Sequence, residues 1–365
     1  MYKALFTADW HLSNNLPYAK PMHDSVTDRL QQQIKTIRNI TEIAKEQNVD
    51  AIYILGDLYD KRLLDAVTLK KSVHTIVDIA DNVCSVYILP GNHDAHSISS
   101  KQYLVDVFDS LIHPNIVVLQ AGDILDVGVE GLSFYPVPWM PLNETKKELE
   151  SIHKLREENK DSLNVILMHQ AVEGCVHLGW RCDEGVSFND DKNLLVLSGH
   201  FHQSQNFKGG MYIGAPMHFN FGDVNNKCSV VIGIFDNGGV ASLERIPLVK
   251  SPNFYIYTDE IKHPLNTTLY KSGDYLRIEI ESTAESFIEK LYKTKKFLKE
   301  AYDKGINISF MHRLIQQNEI RLESDFTVDE TRCVSEYIER FNTDKLDKQV
   351  LFDTGINFLQ GVNNG

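Results

Sequence analysis

The chain has 365 residues, 42% of them hydrophobic and 24% charged, with a formal net charge of −13. That length suits one large domain plus a smaller one, and the composition is that of an ordinary globular protein. No apolar run approaches the roughly 20 residues of a membrane helix, and the acidic balance argues against a general nucleic-acid coat, which uses a basic surface. Net charge does not decide a local site, because bound cations can supply positive charge where a phosphate sits.

In chain order, residues 3–8 form an apolar run that ends at Asp9. Residues 26–47 carry a helical period through Val26, Leu30, Ile34, Ile37, Ile40 and Ile43. Residues 49–55 predict a buried strand ending at Gly56-Asp57, followed by a helix over about 67–80. Residues 85–89 predict another strand, ending at Pro90-Gly91-Asn92-His93-Asp94. Further strands are expected at 116–119, 132–137, 163–168 and 194–198, with a charged helix near 143–159. A β-rich stretch follows at 211–214, 228–235 and 240–246.

The composition shifts at Lys250-Ser251-Pro252. Beyond it, a strand over 274–282, an amphipathic helix over 284–304 and a strand over 306–310 make a strand–helix–strand unit. The helix sets Phe287, Ile288, Leu291, Leu298 and Tyr302 on an apolar face, with Lys290, Lys293, Lys295, Lys296 and Lys299 on its other surfaces. Those lysines read equally as phosphate-backbone contacts or as a solvated face. The expected division is 1–250 as the main domain, 251–326 as an α+β cap with a DNA-binding reading, and 327–365 as a helical tail.

The five cysteines are odd in number and form no C-x-x-C pair. Cys175 and Cys182 are the only near neighbours, so reduced, packed thiols are expected. Met1–Phe6 runs directly into a strand without a signal-peptide layout, and the expected location is the cytoplasm.

Five short segments carry the chemistry: Asp9-Trp10-His11, Gly56-Asp57-Leu58-Tyr59-Asp60, Gly91-Asn92-His93-Asp94, Met168-His169 and Gly199-His200-Phe201-His202. Alone, each reads as surface or packing. Together, each follows a strand-like run, and open α/β sheets gather their sites at strand carboxyl ends. Carboxylate and imidazole donors without thiolates suit manganese, iron or zinc rather than a structural zinc cage. Glycines 56, 91 and 199 suit turns where backbone passes close to such a site.

This set resembles the calcineurin-like metallophosphoesterases. Within them it is similar to the SbcD family of DNA-repair exonuclease subunits, including phage-encoded relatives. The GDLYD and GNHD segments carry the likeness, with Tyr212–Pro216 and Phe221-Gly222-Asp223. Trp10 and Leu12–Asn15 depart from the commonest family choices. The resemblance implies an α/β (α+β) fold, a β-sandwich flanked by helices with a smaller C-terminal cap. It implies two divalent ions, manganese first, with magnesium, iron or zinc also compatible. One ion takes Asp9, His11 and His202, the other takes Asn92, His169 and His200, and Asp57 bridges them. His93 stands beside the scissile phosphate as a non-ligand, and Asp94 accepts a hydrogen bond from it. Asp60 reads equally as a support for the ligands or as a turn residue. His218 lies near the Ala215-Pro216 segment, so a substrate-side role competes with ordinary packing.

The implied activity is exonuclease and endonuclease cleavage of DNA, with an SbcC-type coiled-coil ATPase as partner, docked through the tail, and room for a homodimer. The competing reading is a stand-alone phosphodiesterase or phosphatase acting on a small molecule or phosphoprotein. Protein phosphatases of the superfamily typically carry Glu where this chain has Asp94, and the extra C-terminal length favours the nuclease. A metal-bearing DNA tether without activity is a third reading, against which the complete ligand set argues.

Overall fold

Apolar runs buried on both faces become parallel strands, and four of them build the first sheet. These are β1 (Tyr2–Thr7), β2 (Ala51–Leu55), β3 (Ser85–Leu89) and β4 (Ile116–Val118). The second sheet uses β5 (Leu132–Val137), β6 (Leu163–His169), β9 (Leu194–Gly199), β10 (Gln205–Phe207) and β11 (Gly210–Tyr212), in the order β10-β11-β9-β6-β5. Between β6 and β9 lies a small hairpin, β7 (Val176–His177) and β8 (Trp180–Arg181). The antiparallel strands β12 (Ser229–Asp236) and β13 (Gly239–Pro247) complete the first sheet as β13-β12-β1-β2-β3-β4.

The period-2 alternation of side chains sorts each sheet into two faces. Tyr2, Ala4 and Phe6 of β1 and Tyr53 and Leu55 of β2 meet Phe134, Val165, Leu167 and Leu197 in the core between the sheets. Leu5, Ile52 and Ile54 point the other way, into a core with Leu30, Ile37, Ile76 and Ile79. Those residues belong to helices α1 (Asp28–Gln47) and α2 (Ala66–Asn82). On the far side, Ile152 of α3 (Leu142–Glu158) packs with Ile166, Met168 and Val196. The result is two sheets face to face with helices outside, the sandwich expected from the sequence. Each fully buried Leu, Ile or Phe contributes about 1.5–3 kcal/mol.

Helix starts follow capping chemistry. The Thr27 side chain accepts from Leu30 N, and the Asp65 carboxylate accepts from Val67 N and Thr68 N. Val26, read as the first helical residue, therefore precedes the cap and packs against the core instead.

The structure is a computed structural model describing residues 1–97, 102–158, 162–237, 239–248, 252–258, 265–282, 290 and 294–314. All of these lie in the first of two compact units, Met1–Leu314 and Ile315–Gly365. Among the described residues no helix is long and apolar enough to cross a membrane.

After residue 252 comes a parallel sheet ordered β14 (Phe254–Thr258), β15 (Tyr275–Ser282), β16 (Asn307–Leu314). The two later strands were expected, whereas β14 was not. Helix α4 (Lys295–Asp303) buries Phe297 and Ala301. Tyr302, placed on the apolar face from sequence, is 83% exposed, because Ala301 takes the inward position. Residues 284–289 and 291–293 of the expected helix, with Phe287, Ile288, Leu291 and Lys293, lie outside the described residues, as does the expected tail 327–365.

The β14–β15 edge meets the main sheets through an aromatic cluster with a buried cation. Phe254 stacks on Tyr275 at 4.5 Å and meets Phe221 edge-on at 4.9 Å. The Arg29 guanidinium lies 5.3 Å from the centroids of both Phe254 and Tyr275. Its Nη2 donates to the carbonyls of His218 (2.7 Å) and Phe219 (3.2 Å). Burial lowers the guanidinium pKa; those carbonyls, Gln32 Oε1 (2.7 Å from Nη1) and the ring faces support the charge, while Nε has no hydrogen-bond partner. Arg29→Met keeps most of the volume and strands both carbonyls. It should lower unfolding free energy by about 2–4 kcal/mol in guanidinium titrations. A loss below about 1 kcal/mol contradicts this role for Arg29.

Candidate metal centre

The five segments emerge from neighbouring strand ends. Asp9 and His11 follow β1, Asp57 follows β2, Asn92 and His93 follow β3, His169 ends β6, and His200 and His202 follow β9. Turning the chain so sharply puts Asp9 (φ 54°), His11 (φ 45°), Asp57 (φ 51°) and His200 (φ 95°) in left-handed backbone. Such conformations cost roughly 1–3 kcal/mol each in non-glycine residues and cluster at functional sites. Cross-turn bonds hold them: Asp9 N donates to Gly56 O (3.0 Å), His11 N to Asp57 O (2.9 Å), and His200 N to Asp9 Oδ1 (3.0 Å). Gln33 of α1 reinforces the first turn, its Nε2 donating to the Trp10 (3.0 Å) and His11 (2.5 Å) carbonyls.

The side chains bring lone pairs together. His169 Nδ1 donates to Leu55 O at 2.8 Å. In the neutral ring its Nε2 is then an acceptor, 3.1 Å from Asn92 Oδ1 and 3.2 Å from Asp57 Oδ2. His202 Nδ1 donates to Asp223 Oδ1 at 2.9 Å, leaving Nε2 only 3.0 Å from His11 Nε2. His11 Nε2 is also 3.6 Å from Asp57 Oδ2. Asn92 Oδ1 is 2.9 Å from His200 Nδ1. Asp9 Oδ2 and His11 Nδ1 are buried without a hydrogen-bond partner. Acceptors packed this closely repel unless positive charge stands among them.

Three groupings have donor atoms within 4.8 Å of one another: Asp9–His11–His202, His11–Asp57–His93, and Asp9–Asp57–His169. Asp57 joins two of them. The donor set is carboxylate, amide oxygen and imidazole, which fits hard to borderline divalent cations.

Charges in the protein alone compensate one another. Burial raises the Asp57 pKa, but His169, His11 and His93 outweigh it and hold the carboxyl well below the usual range. Burial lowers His169, but Asp57 and Asp9 drive it up to about 9. His202 also reaches about 9, Asp223 overcoming its burial. Burial carries Asp9 up to about 6 and His200 down to about 3, and takes His11 well below its ordinary value. Protons on His169 and His202 thus stand where cations would otherwise balance the acids.

All seven residues expected as ligands meet in this one place, with His93 at its edge. Asp94 does not do what was expected. Its carboxylate is drawn inward by Gly91 N (2.9 Å), Tyr59 N (3.0 Å) and Leu58 N (3.2 Å), and it makes no bond to His93. Burial first, then the nearby Asp57 charge, raises Asp94 to about 7. The orienting acceptor for His93 is a main-chain carbonyl, Nδ1 donating to Asp60 O at 2.6 Å. Asp60 supports His93 through its main-chain carbonyl, and its Oδ1 stands 3.6 Å from His11 Nδ1 without a hydrogen bond. His218 faces the interior, its Nε2 donating to Asn226 O and its Nδ1 accepting from Phe254 N. Sequence reasoning missed Asp223 and Gln33 as supports. Asp223 stood in a quoted segment, but nothing in its spacing linked it to His202.

The calcineurin-like phosphoesterase family model matches residues 2–204, and the chain belongs to that family. It is thus a hydrolase of phosphate esters, with a fold that carries a metal centre of this kind. It is similar to 244L of Invertebrate iridescent virus 6, named as a phosphoesterase, at 26% identity over 68% of this chain and 87% of that protein. It is similar to the SbcD component of the nuclease SbcCD of Escherichia coli K12, at 21% identity over 98% of this chain and 99% of that protein. Among solved structures, a dimetal phosphatase from Danio rerio aligns with 68% of this chain and 99% of its own, at 9% identity and a TM-score of 0.41.

Gly56 tests how tightly the centre is built. At φ +86°, a Cβ would collide with the His169 imidazole. Gly122 has the same φ with nothing within 4 Å. Gly122→Ala should lose about 1 kcal/mol from backbone strain alone. Gly56→Ala should lose at least about 2 kcal/mol more, read by thermal unfolding in EDTA. Equal losses would mean that His169 yields easily and is not held in place.

Proposed function

We propose that this chain is a two-metal phosphodiesterase that cuts DNA, as the nuclease subunit beside an SbcC-type coiled-coil ATPase. The observation that carries the nuclease over the phosphatase is the end-to-end similarity to a nuclease subunit, 98% of this chain against 99% of that one. In this reading Asp9, His11 and His202 would hold one ion, Asn92, His169 and His200 would hold the other, and Asp57 would serve both. Manganese is the first expectation, since the donor set has oxygen and imidazole but no thiolate. The ions would supply Lewis-acid activation of water and neutralise charge developing on the phosphate.

The chain's own residues do the rest. Leu55 O and Asp223 fix the His169 and His202 rings so that each Nε2 faces the centre. His93 is held twice, its main-chain N donating to Asp57 Oδ1 (2.8 Å) and its Nδ1 to Asp60 O. Its Nε2 remains to meet a phosphate oxygen, where in the protonated form it can stabilise charge or protonate the leaving oxygen. His93 and Asn92 line a cleft of about 410 Å³ with Asp60, Lys61, Arg62 and Leu63. Lys61 and Arg62 are exposed, and neither has an ion pair among the described residues. In a chain of net charge −13, two cations beside His93 favour a substrate with more than one phosphate.

Purified chain with manganese, tested on labelled linear DNA and on bis-p-nitrophenyl phosphate, decides between a nuclease and a small-molecule esterase. DNA cleavage that rises when the ATPase is added supports the proposal. Turnover of the small diester with no DNA cleavage, with or without the ATPase, overturns it. Asp57→Ala should lose both metal and activity on every substrate. His93→Ala should keep its metal and lose about 10²–10⁴-fold in turnover. Metal lost in step with activity would instead make His93 a ligand.

A further inference from the structure

The β7–β8 hairpin is an unusual object beside the centre. Val176 pairs with Arg181 and His177 with Trp180, so Leu178 and Gly179 make a two-residue turn. Both have positive φ, 49° and +84°, the turn type whose first position normally takes Asn, Asp or Gly. A leucine there is strained, and it is 60% exposed. Trp180 is 81% exposed. Leu178 leans its Cδ2 against Gly222, while Trp180 leaves a large apolar ring in solvent beside the turn.

The hairpin is also fixed in place. Val176 exchanges two hydrogen bonds with the Gln205 side chain, each of 2.8 Å. Cys182 N donates to Cys175 O and Gly174 N to Cys182 O, both at 2.8 Å, closing the base. The His177 ring stacks on Phe201 at 4.8 Å, and Phe201 stacks on His200 at 5.3 Å. A row of rings therefore runs from the centre to the hairpin. Directly opposed residues of an antiparallel pair project from the same face. Trp180 shares the face that His177 turns toward Phe201, yet most of the indole remains open.

We propose that this hairpin is a nucleobase-stacking element, in which Trp180 takes an unpaired base of the strand whose phosphate enters the centre. The inference rests on the nuclease reading and adds a contact that reads the base rather than the backbone. An indole face accepts any base, so the contact serves strand ends without selecting sequence.

The test uses the full chain with manganese and single-stranded oligothymidylate, intact or with one abasic position near the cleaved end. Trp180→Ala should raise KM on the intact strand by about 10- to 100-fold, the range of one base–aromatic stack, with kcat much less affected. Trp180→Phe should restore most of the loss. On the abasic strand the wild type and Trp180→Ala should converge. Saturable quenching of intrinsic fluorescence by oligothymidylate should disappear in Trp180→Phe, since Trp10 is buried and Trp139 partly so. An unchanged KM in Trp180→Ala, or an equal loss on the abasic strand, overturns the stacking role. A shift from dimer to monomer in sedimentation, with KM unchanged, would assign the hairpin to contact between copies. A wild type that neither binds nor cuts DNA fails the nuclease reading itself. A wild type that cuts DNA with Trp180→Ala unaffected fails only this inference.

Discussion

The strand ends of the two main sheets are arranged around a crowd of lone pairs that repel one another unless positive charge stands among them. His11 Nε2 faces His202 Nε2 at 3.0 Å, and His169 Nε2 faces both Asn92 Oδ1 and Asp57 Oδ2 at little more. With His169 and His202 protonated these contacts are hydrogen bonds, but with both rings neutral they set acceptor against acceptor, which costs electrostatic energy in a buried setting. The fold adds backbone cost by bending Asp9, His11, Asp57 and His200 into left-handed conformations. Only positive charge among the acceptors offsets both, and the raised imidazoles of His169 and His202 are the protein's own partial answer.

The supports for this crowd come from distant parts of the chain. The Leu55 carbonyl orients His169, Gln33 of α1 clamps the Asp9–His11 turn, and Asp60 holds His93. Asp223 has the widest reach. It holds His202 and accepts from Phe219 N and Asn220 N, within the segment whose carbonyls bind Arg29. His218 in the same segment accepts from Phe254 N of β14. A single stretch thus serves a centre histidine on one side and the small parallel sheet on the other.

Legibility from sequence followed the range of each interaction. Strands β1, β2, β3, β6 and β9 were readable because they are buried on both faces and form continuous apolar runs that stop at polar residues. The donor residues were readable for the same reason, since each sits just past such a run. The β7–β8 hairpin was not, because its turn is Leu-Gly rather than Asn-Gly and its strands have two residues each. β14 escaped notice because Phe254–Thr258 gains its meaning only from Tyr275 and Arg29, which lie far away in sequence. The bond expected from His93 to Asp94 failed because adjacency in sequence is a poor guide at a turn. Successive side chains diverge there, and backbone N–H groups of Gly91, Leu58 and Tyr59 claim the carboxylate first.

The central claim is that two cations share Asp57 at this junction of strand ends. Electron paramagnetic resonance of the metal-free chain titrated with manganese tests it most directly. The account predicts two ions bound per chain, with a spin-coupled spectrum that appears as the second ion enters. Saturation at one ion per chain, or two ions with spectra that stay magnetically independent, would contradict it.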